Sequence, residues 1–262
     1  MMNKKEGFIG FLDSGVGGIS VLNEAIKLMP NERYVYLGDS KNAPYGTKTK
    51  KEVKDITVAN VDALIEEGAK AIVIACNTAT SAAVAYLRDK YKDIPILGVE
   101  PALKPAALSH KGEKILVMAT PMTLAEKKFE YLMGKYEGEA EIVPVPCPGL
   151  MDFVEAGKLE GEELEEFLRG ILTEEICDGT KAVVLGCTHY PFVKDAIRNV
   201  VGQHVDIYDG GMGTAKHLKR QLIKLELHRD KDMAGELDMR NSSGLEEMIS
   251  LSNRLALADM LR

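Results

Sequence analysis

Short apolar runs rich in β-branched residues alternate along the chain with longer segments in which apolar side chains recur at helical spacing. The runs lie at 8–12, 34–37, 71–75, 96–99, 115–118, 142–145, 182–185 and 205–208. Runs of this length without polar alternation predict strands buried on both faces, as in parallel sheets. Between them, Thr49-Lys50-Lys51-Glu52 and Thr123-Leu124-Ala125-Glu126 have the capping-box form that opens a helix. After the first, Val53, Ile56, Val61 and Leu64 share a face, and Gly68 is a stop. Residues 20–29 read as a further amphipathic helix with Ser20 as its cap. The alternation predicts an α/β fold.

A weak repeat runs through the pattern. The strand at 8–12 ends at Asp13-Ser14, and the one at 114–118 ends at Ala119-Thr120. The strand at 72–75 ends at Cys76-Asn77-Thr78, and the one at 183–186 leads into Cys187-Thr188-His189, at nearly equal intervals from the first pair. The expectation is two similar α/β domains with mostly parallel sheets, each with one cysteine at the carboxyl end of a central strand, and an active site in the interdomain cleft. That edge binds ligands in open α/β sheets because helix N-termini bring unpaired N–H groups there.

Composition narrows the class. The chain has 262 residues, 33 basic and 40 acidic side chains, a net charge of −7 and 45% apolar residues. It can bury a core and is not disordered. With no cluster of Lys and Arg, no nucleic-acid partner is expected. No run approaches the roughly 20 apolar residues of a membrane span, and residues 1–6 show no signal region, so the expected setting is the cytoplasm. Cys76, Cys147, Cys177 and Cys187 form no C-x-x-C pair. Four free thiols and no metal site are expected.

Asp13-Ser14-Gly15-Val16-Gly17-Gly18 joins a strand to a helix, yet it lacks the third glycine of a dinucleotide fingerprint and the Lys of a P-loop. It reads as a tight turn, or as an anion-binding turn that sets Asp13 beside a ligand or thiol. Asn42-Ala43-Pro44-Tyr45-Gly46 reads equally as a plain turn or as a loop presenting the Tyr45 hydroxyl and the next N–H to a carboxylate. A lone buried cysteine is usually a small hydrophobe. Cys76 and Cys187, however, both stand between a strand end and a helix start, where the thiolate is favoured, and Pro191 suits the first turn of the second helix. Cys147, within Pro146-Cys147-Pro148, and Cys177, late in a helix, read as structural. His110, His204, His217 and His228 read as solvated. Glu155 reads as an ordinary helix-end acid.

Two equivalent thiols suit inversion of a carbon centre, where a base takes a proton from one face and an acid delivers one to the other. Asp13 could take the proton of Cys76, and His189 that of Cys187. Ser14, Asn77, Thr78 and Thr188 would hold the substrate's carboxylates.

The turn at 13–18, Pro44-Tyr45-Gly46, Ala75-Cys76-Asn77-Thr78-Ala79 and Leu185-Gly186-Cys187-Thr188-His189-Tyr190-Pro191 resemble, in order and spacing, the motifs of the glutamate racemases. The resemblance covers about residues 8–210. It implies cofactor-independent interconversion of L- and D-glutamate, with D-glutamate going to peptidoglycan. By motif, Cys76 would serve the D-enantiomer and Cys187 the L-enantiomer. Asp13, His189 and Glu155 would assist, and Ser14, Pro44, Tyr45, Gly46, Asn77, Thr78, Thr188 and Thr120 would contact substrate. It also implies a homodimer, and a chain whose end returns to the first domain: 1–99 with 210–262, and 100–209. Tyr208-Asp209-Gly210-Gly211 departs from the Asp-Ser common in the family, and 232–244 matches no known pattern. The chain lacks the long N-terminal extension associated with activation by a cell-wall nucleotide precursor, which implies unregulated activity. Alternatives are an aspartate or hydantoin racemase of the same superfamily, or a non-catalytic thiol- or metal-binding protein.

Overall fold

The computed structural model describes residues 4–230, 233–257 and 260; residues 1–3 of the N-terminal segment and Asp232 of the unmatched stretch lie outside them. The chain divides into two compact units, Met1–Val99 with Gly211–Arg262, and Glu100–Gly210.

The first unit holds β1 (Phe8–Asp13), α1 (Ile19–Leu28), β2 (Arg33–Gly38), α2 (Lys50–Glu66), β3 (Ala69–Ile74), α3 (Asn77–Lys90) and β4 (Ile96–Gly98). The second holds α4 (Leu103–Ser109), β5 (Lys114–Ala119), α5 (Pro121–Leu124), α6 (Lys127–Gly134), β6 (Glu141–Pro146), α7 (Leu150–Glu155), α8 (Glu162–Ile171), α9 (Glu174–Cys177), β7 (Thr180–Leu185), α10 (Lys194–Val201) and β8 (Asp206–Asp209). The chain then rejoins the first unit through α11 (Gly211–Lys224), β9 (Glu236–Asn241) and α12 (Glu246–Leu255).

Each apolar run of the sequence is a strand. The first sheet has the order β4-β3-β1-β2-β9 and the second β6-β5-β7-β8, with parallel pairing throughout. Reversing the second list superimposes β8-β7-β5-β6 on β4-β3-β1-β2. The match extends to the irregularities. The register of β1 on β3 shifts between Phe8 and Ile9, and that of β5 on β7 shifts between Lys114 and Ile115.

The central strands β1, β3, β5 and β7 are buried almost throughout. On β1 and β3, Leu12, Ile72 and Ile74 pack with Val53, Val61 and Leu64 of α2 and with Ala79, Ala83 and Leu87 of α3. The edge strands β6 and β8 are partly or fully exposed at nearly every residue, which corrects the expectation of burial on both faces. Among the described residues no helix is long and apolar enough to cross a membrane.

Two helix starts differ from expectation. Thr49 and Glu52 close the capping box of α2, but Thr123 does not open a helix. Thr120 caps instead, with Pro121 at the first helical position, where its fixed φ is pre-organised, and Thr123 falls inside that single turn. Ser20 is likewise no cap: Gly18 occupies that position, and the Ser20 hydroxyl donates to Gly17 O at 2.8 Å. Strand β9, in the unmatched stretch, escapes the pattern because Leu237 and Met239 are its only apolar residues. It forms through pairing with β2, reinforced by Arg33 donating to Glu236 at 2.9 Å.

The returning segment is also fixed near the starts of these strands. Lys70 at the start of β3 donates to Glu32 at 2.6 Å with both side chains 3% exposed, and to Lys5 O at 2.8 Å. Glu32 in turn accepts the Arg229 N–H at 2.9 Å. Burial pulls the Lys70 ammonium below its ordinary value against the pull of Glu32. Removing one member of such a pair leaves the other charge buried and unpaired. Lys70→Met should therefore lower stability in urea unfolding by about 3–5 kcal/mol; a loss below about 1 kcal/mol, the level of a surface pair, would contradict it.

Candidate active site

In the first unit the site grows from the carboxyl ends of β1, β2 and β3. Ala75 still donates to Leu12 O at 2.8 Å, so the chain leaves the sheet at Cys76. Cys76 has extended backbone (φ −70°, ψ 125°) and is the N-cap of α3, its carbonyl accepting from Thr80 N at 2.9 Å. No side chain caps this helix, so the N–H groups of Asn77 and Thr78 have no acceptor within it. Partial positive charge at such a helix start stabilises a thiolate at Cys76 or an anion beside it.

Asp13, the last residue of β1, is wholly buried and accepts the Gly15 N–H at 3.0 Å, which folds the glycine-rich turn around it. A Cβ on Gly18 would lie 2.6 Å from that of Asp13 and 2.8 Å from that of Ala75, so only glycine fits. Ser14 is buried in the same turn.

Tyr45 is 2% exposed, and its hydroxyl donates to Asp39 at 2.7 Å rather than standing open to a ligand. Pro44 and Gly46 on either side of it are exposed and form the solvent side of the loop. Burial first, then the hydrogen bond to Asp39 and the nearby Asp39, Cys76 and Asp13 groups, push this phenol far above its ordinary value. Tyr45, Cys76 and Asp13 therefore share one electrostatic neighbourhood. Asp39 escaped the sequence reading; the available signal was a carboxylate directly after a buried strand, as at Asp13.

In the second unit Gly186 donates to Met118 O at 2.7 Å, and Cys187 follows at the equivalent point of the repeat. A Cβ on Gly186 would lie 2.9 Å from that of Ala119. The surroundings differ from those of Cys76. A 3-10 turn, Tyr190–Val193 with Pro191, stands where an α-helix was expected. In place of a helix end, the Cys187 thiol meets His189 Nδ1 at 3.6 Å, and His189 Nε2 lies 2.7 Å from Glu155 Oε1. Glu155, at the end of α7, is thus partnered rather than an ordinary helix-end acid. An ionised carboxylate only accepts, so Nε2 carries a hydrogen toward Glu155, and in the neutral imidazole Nδ1 is then the acceptor that faces the thiol. Thr188 is buried beside this chain of groups. Thr120 is occupied as a helix cap, its hydroxyl 2.9 Å from that of Thr123.

The model of the Asp/Glu/hydantoin racemase family matches residues 13–218. A glutamate racemase of Clostridium perfringens (strain SM101 / Type A) is 53% identical over 247 residues, 94% of this chain and 95% of that protein. The chain belongs to the Asp/Glu/hydantoin racemase family. The structure is similar to that of a Thermus thermophilus glutamate racemase in complex with beta-chloro-D-alanine, with TM-score 0.82, 31% identity and coverage of 98% of this chain and 95% of that one. It is also similar to an Escherichia coli glutamate racemase in complex with L-glutamate and the activator UDP-MurNAc-ala, with TM-score 0.81, 29% identity and 96% coverage of each chain.

Within this racemase fold the remaining thiols and histidines have other surroundings. Cys147 is buried and donates to Val145 O at 3.3 Å; burial, then the charge of Cys187, pushes its thiol up to about 12. Cys177 closes the one-turn α9, and burial raises its thiol as well. His204, His217 and His228 are exposed. His110 is not solvated as expected: its side chain is 12% exposed, 2.7 Å from Glu113 and 3.2 Å from both Tyr208 and Asp206. Among the described residues no three His, Cys, Asp or Glu side chains are grouped to hold a metal ion.

At pH 8 a thiol titrating at about 12 is thiolate in only roughly one molecule in 10⁴. Iodoacetamide at that pH should leave Cys147 unmodified in the folded protein and label it in urea. Mass spectrometry of the Cys147 peptide checks this, and equal labelling in both samples would contradict it.

Proposed function

We propose that this protein is a glutamate racemase working through two thiols without a cofactor. The observation that carries the reading is the Cys187–His189–Glu155 chain of contacts, at the place in one repeat that Cys76 occupies in the other. The family and the names of its relatives point the same way.

Racemisation needs one base and one acid at opposite faces of a single Cα. With D-glutamate, the Cys76 thiolate removes the Cα proton and the Cys187 S–H delivers a proton to the other face. One C–H bond breaks and one forms, and the two cysteines exchange protonation states. With L-glutamate the roles reverse: His189 Nδ1 accepts the proton of Cys187, and Glu155 holds the resulting imidazolium. Asp13 does the corresponding work for Cys76. Donors at Ser14, Asn77, Thr78 and Thr188, and the backbone at Tyr45 and Gly46 after Pro44, bind the carboxylates and stabilise the charge that develops on deprotonation. Thr120, which caps α5, is a further candidate for contact with substrate. In the same reading the enzyme is a cytoplasmic homodimer that supplies D-glutamate for peptidoglycan and has no nucleic-acid or membrane partner.

Incubation with L-glutamate in deuterated water, without cofactor, should move optical rotation to zero and place deuterium at Cα. Retained protium with unchanged rotation would refute the activity, and the same result with L-glutamate but turnover of L-aspartate would reassign the substrate. Cys76→Ala and Cys187→Ala should each abolish racemisation. His189→Asn should lower kcat/KM by about 10²- to 10⁴-fold. The loss must be equal in both directions, because the two enantiomers have equal free energy in water.

A further inference from the structure

Asp39 does more than anchor one tyrosine. It is 1% exposed, directly after β2, and four elements donate to its carboxylate. Tyr45 donates at 2.7 Å from the substrate-side loop, Asn60 at 3.2 Å from α2, Asn42 at 3.0 Å from the intervening turn, and Ser242 at 2.6 Å from the residue after β9. Ser242 is built into place from several sides. Its N–H donates to Gly38 O at 2.9 Å, its hydroxyl accepts the Lys41 N–H at 3.0 Å, and the neighbouring Asn241 donates to Ser40 at 2.8 Å.

We propose that Ser242, at the end of the C-terminal strand, is a positioning residue for racemisation: through Asp39 it sets the Tyr45–Gly46 loop that binds substrate. A buried carboxylate with its acceptor sites filled holds each donor in one geometry. Loss of the shortest bond frees Asp39 to turn, and the Tyr45 hydroxyl follows it. The second repeat supports the assignment by contrast. Asp39 N donates to Asp13 O at 2.9 Å, and at the equivalent point Cys147 N donates to Ala119 O at 2.9 Å. There the side chain is a thiol hydrogen-bonded to its own strand, and among the described residues the second sheet has no strand corresponding to β9. The acidic hub and the extra strand occur together, in the repeat whose loop carries Pro44-Tyr45-Gly46.

The inference rests on the proposed role of that loop in binding glutamate, so two independent readings are needed. Ser242→Ala should raise KM for both enantiomers on the order of tenfold while kcat changes less than about twofold, as expected when a binding group is misplaced and the thiols are untouched. Ser242→Thr, which keeps the hydroxyl, should restore KM, and Ser242→Cys, a weak donor, should fall between. Hydrogen exchange of the folded Ser242→Ala protein should show faster amide exchange confined to residues 43–48, with α3 and β5 unchanged. Unaltered exchange at 43–48 would overturn the brace itself. Faster exchange there with unaltered KM would overturn the loop's role in binding while leaving the brace standing. A fall in kcat with KM constant would make the effect one on the thiols and also refute the proposal.

Discussion

One main-chain hydrogen bond in each unit carries the rest of the structure: Ala75 to Leu12 in the first, Gly186 to Met118 in the second. Each is the last rung between two central parallel strands, and each lies one residue before a cysteine. Backbone groups in a buried sheet must be paired, so the chain cannot leave earlier, and the following turn forces it to leave there. The cysteine is delivered to the strand's carboxyl edge by the scaffold and not by its own contacts. Close packing enforces the position, since neither Gly18 nor Gly186 has room for a single further carbon.

The two units share a backbone plan down to a register shift at matching residues, yet they surround their thiols differently. Asp13 stands at the end of β1, and its counterpart at the end of β5 is Ala119. A fourteen-residue helix begins directly after Cys76, whereas a 3-10 turn follows Cys187 and His189 with Glu155 takes its place. In the proposed reaction, helix end and carboxylate on one side, and imidazole and carboxylate on the other, would be two solutions to one electrostatic problem: a thiol that loses and regains a proton near neutral pH. A symmetric scaffold therefore does not require symmetric helpers, and the proposed reaction requires only that both thiols exchange protons.

Most of the fold was legible because strands write themselves into continuous apolar runs, and every such run is a strand, although only the central ones are buried on both faces. Local chemistry was legible where it is decided within three or four residues, as in the Thr49–Glu52 capping box. It failed at Thr123 because Thr120 and Pro121 offered an earlier start, and at Ser20 because the turn is shaped by packing against Asp13. Strand β9 has no apolar signature; its existence depends on an edge offered by β2, some two hundred residues away in sequence.

The site divides the same way. Sequence alone determined the two cysteines, their place after strands and the presence of His189, since these follow from local pattern and from an internal repeat. It could not determine that Glu155 reaches His189, that His110 is clasped by Glu113, Asp206 and Tyr208, or that Asp39 gathers Tyr45, Asn60 and Ser242. Those partners are separated by up to 203 residues, and no periodicity records a hydrogen bond between side chains on different elements. Only the packing of the sheets brings such groups within reach, because burial leaves each polar atom no water to bind and requires a partner inside the protein.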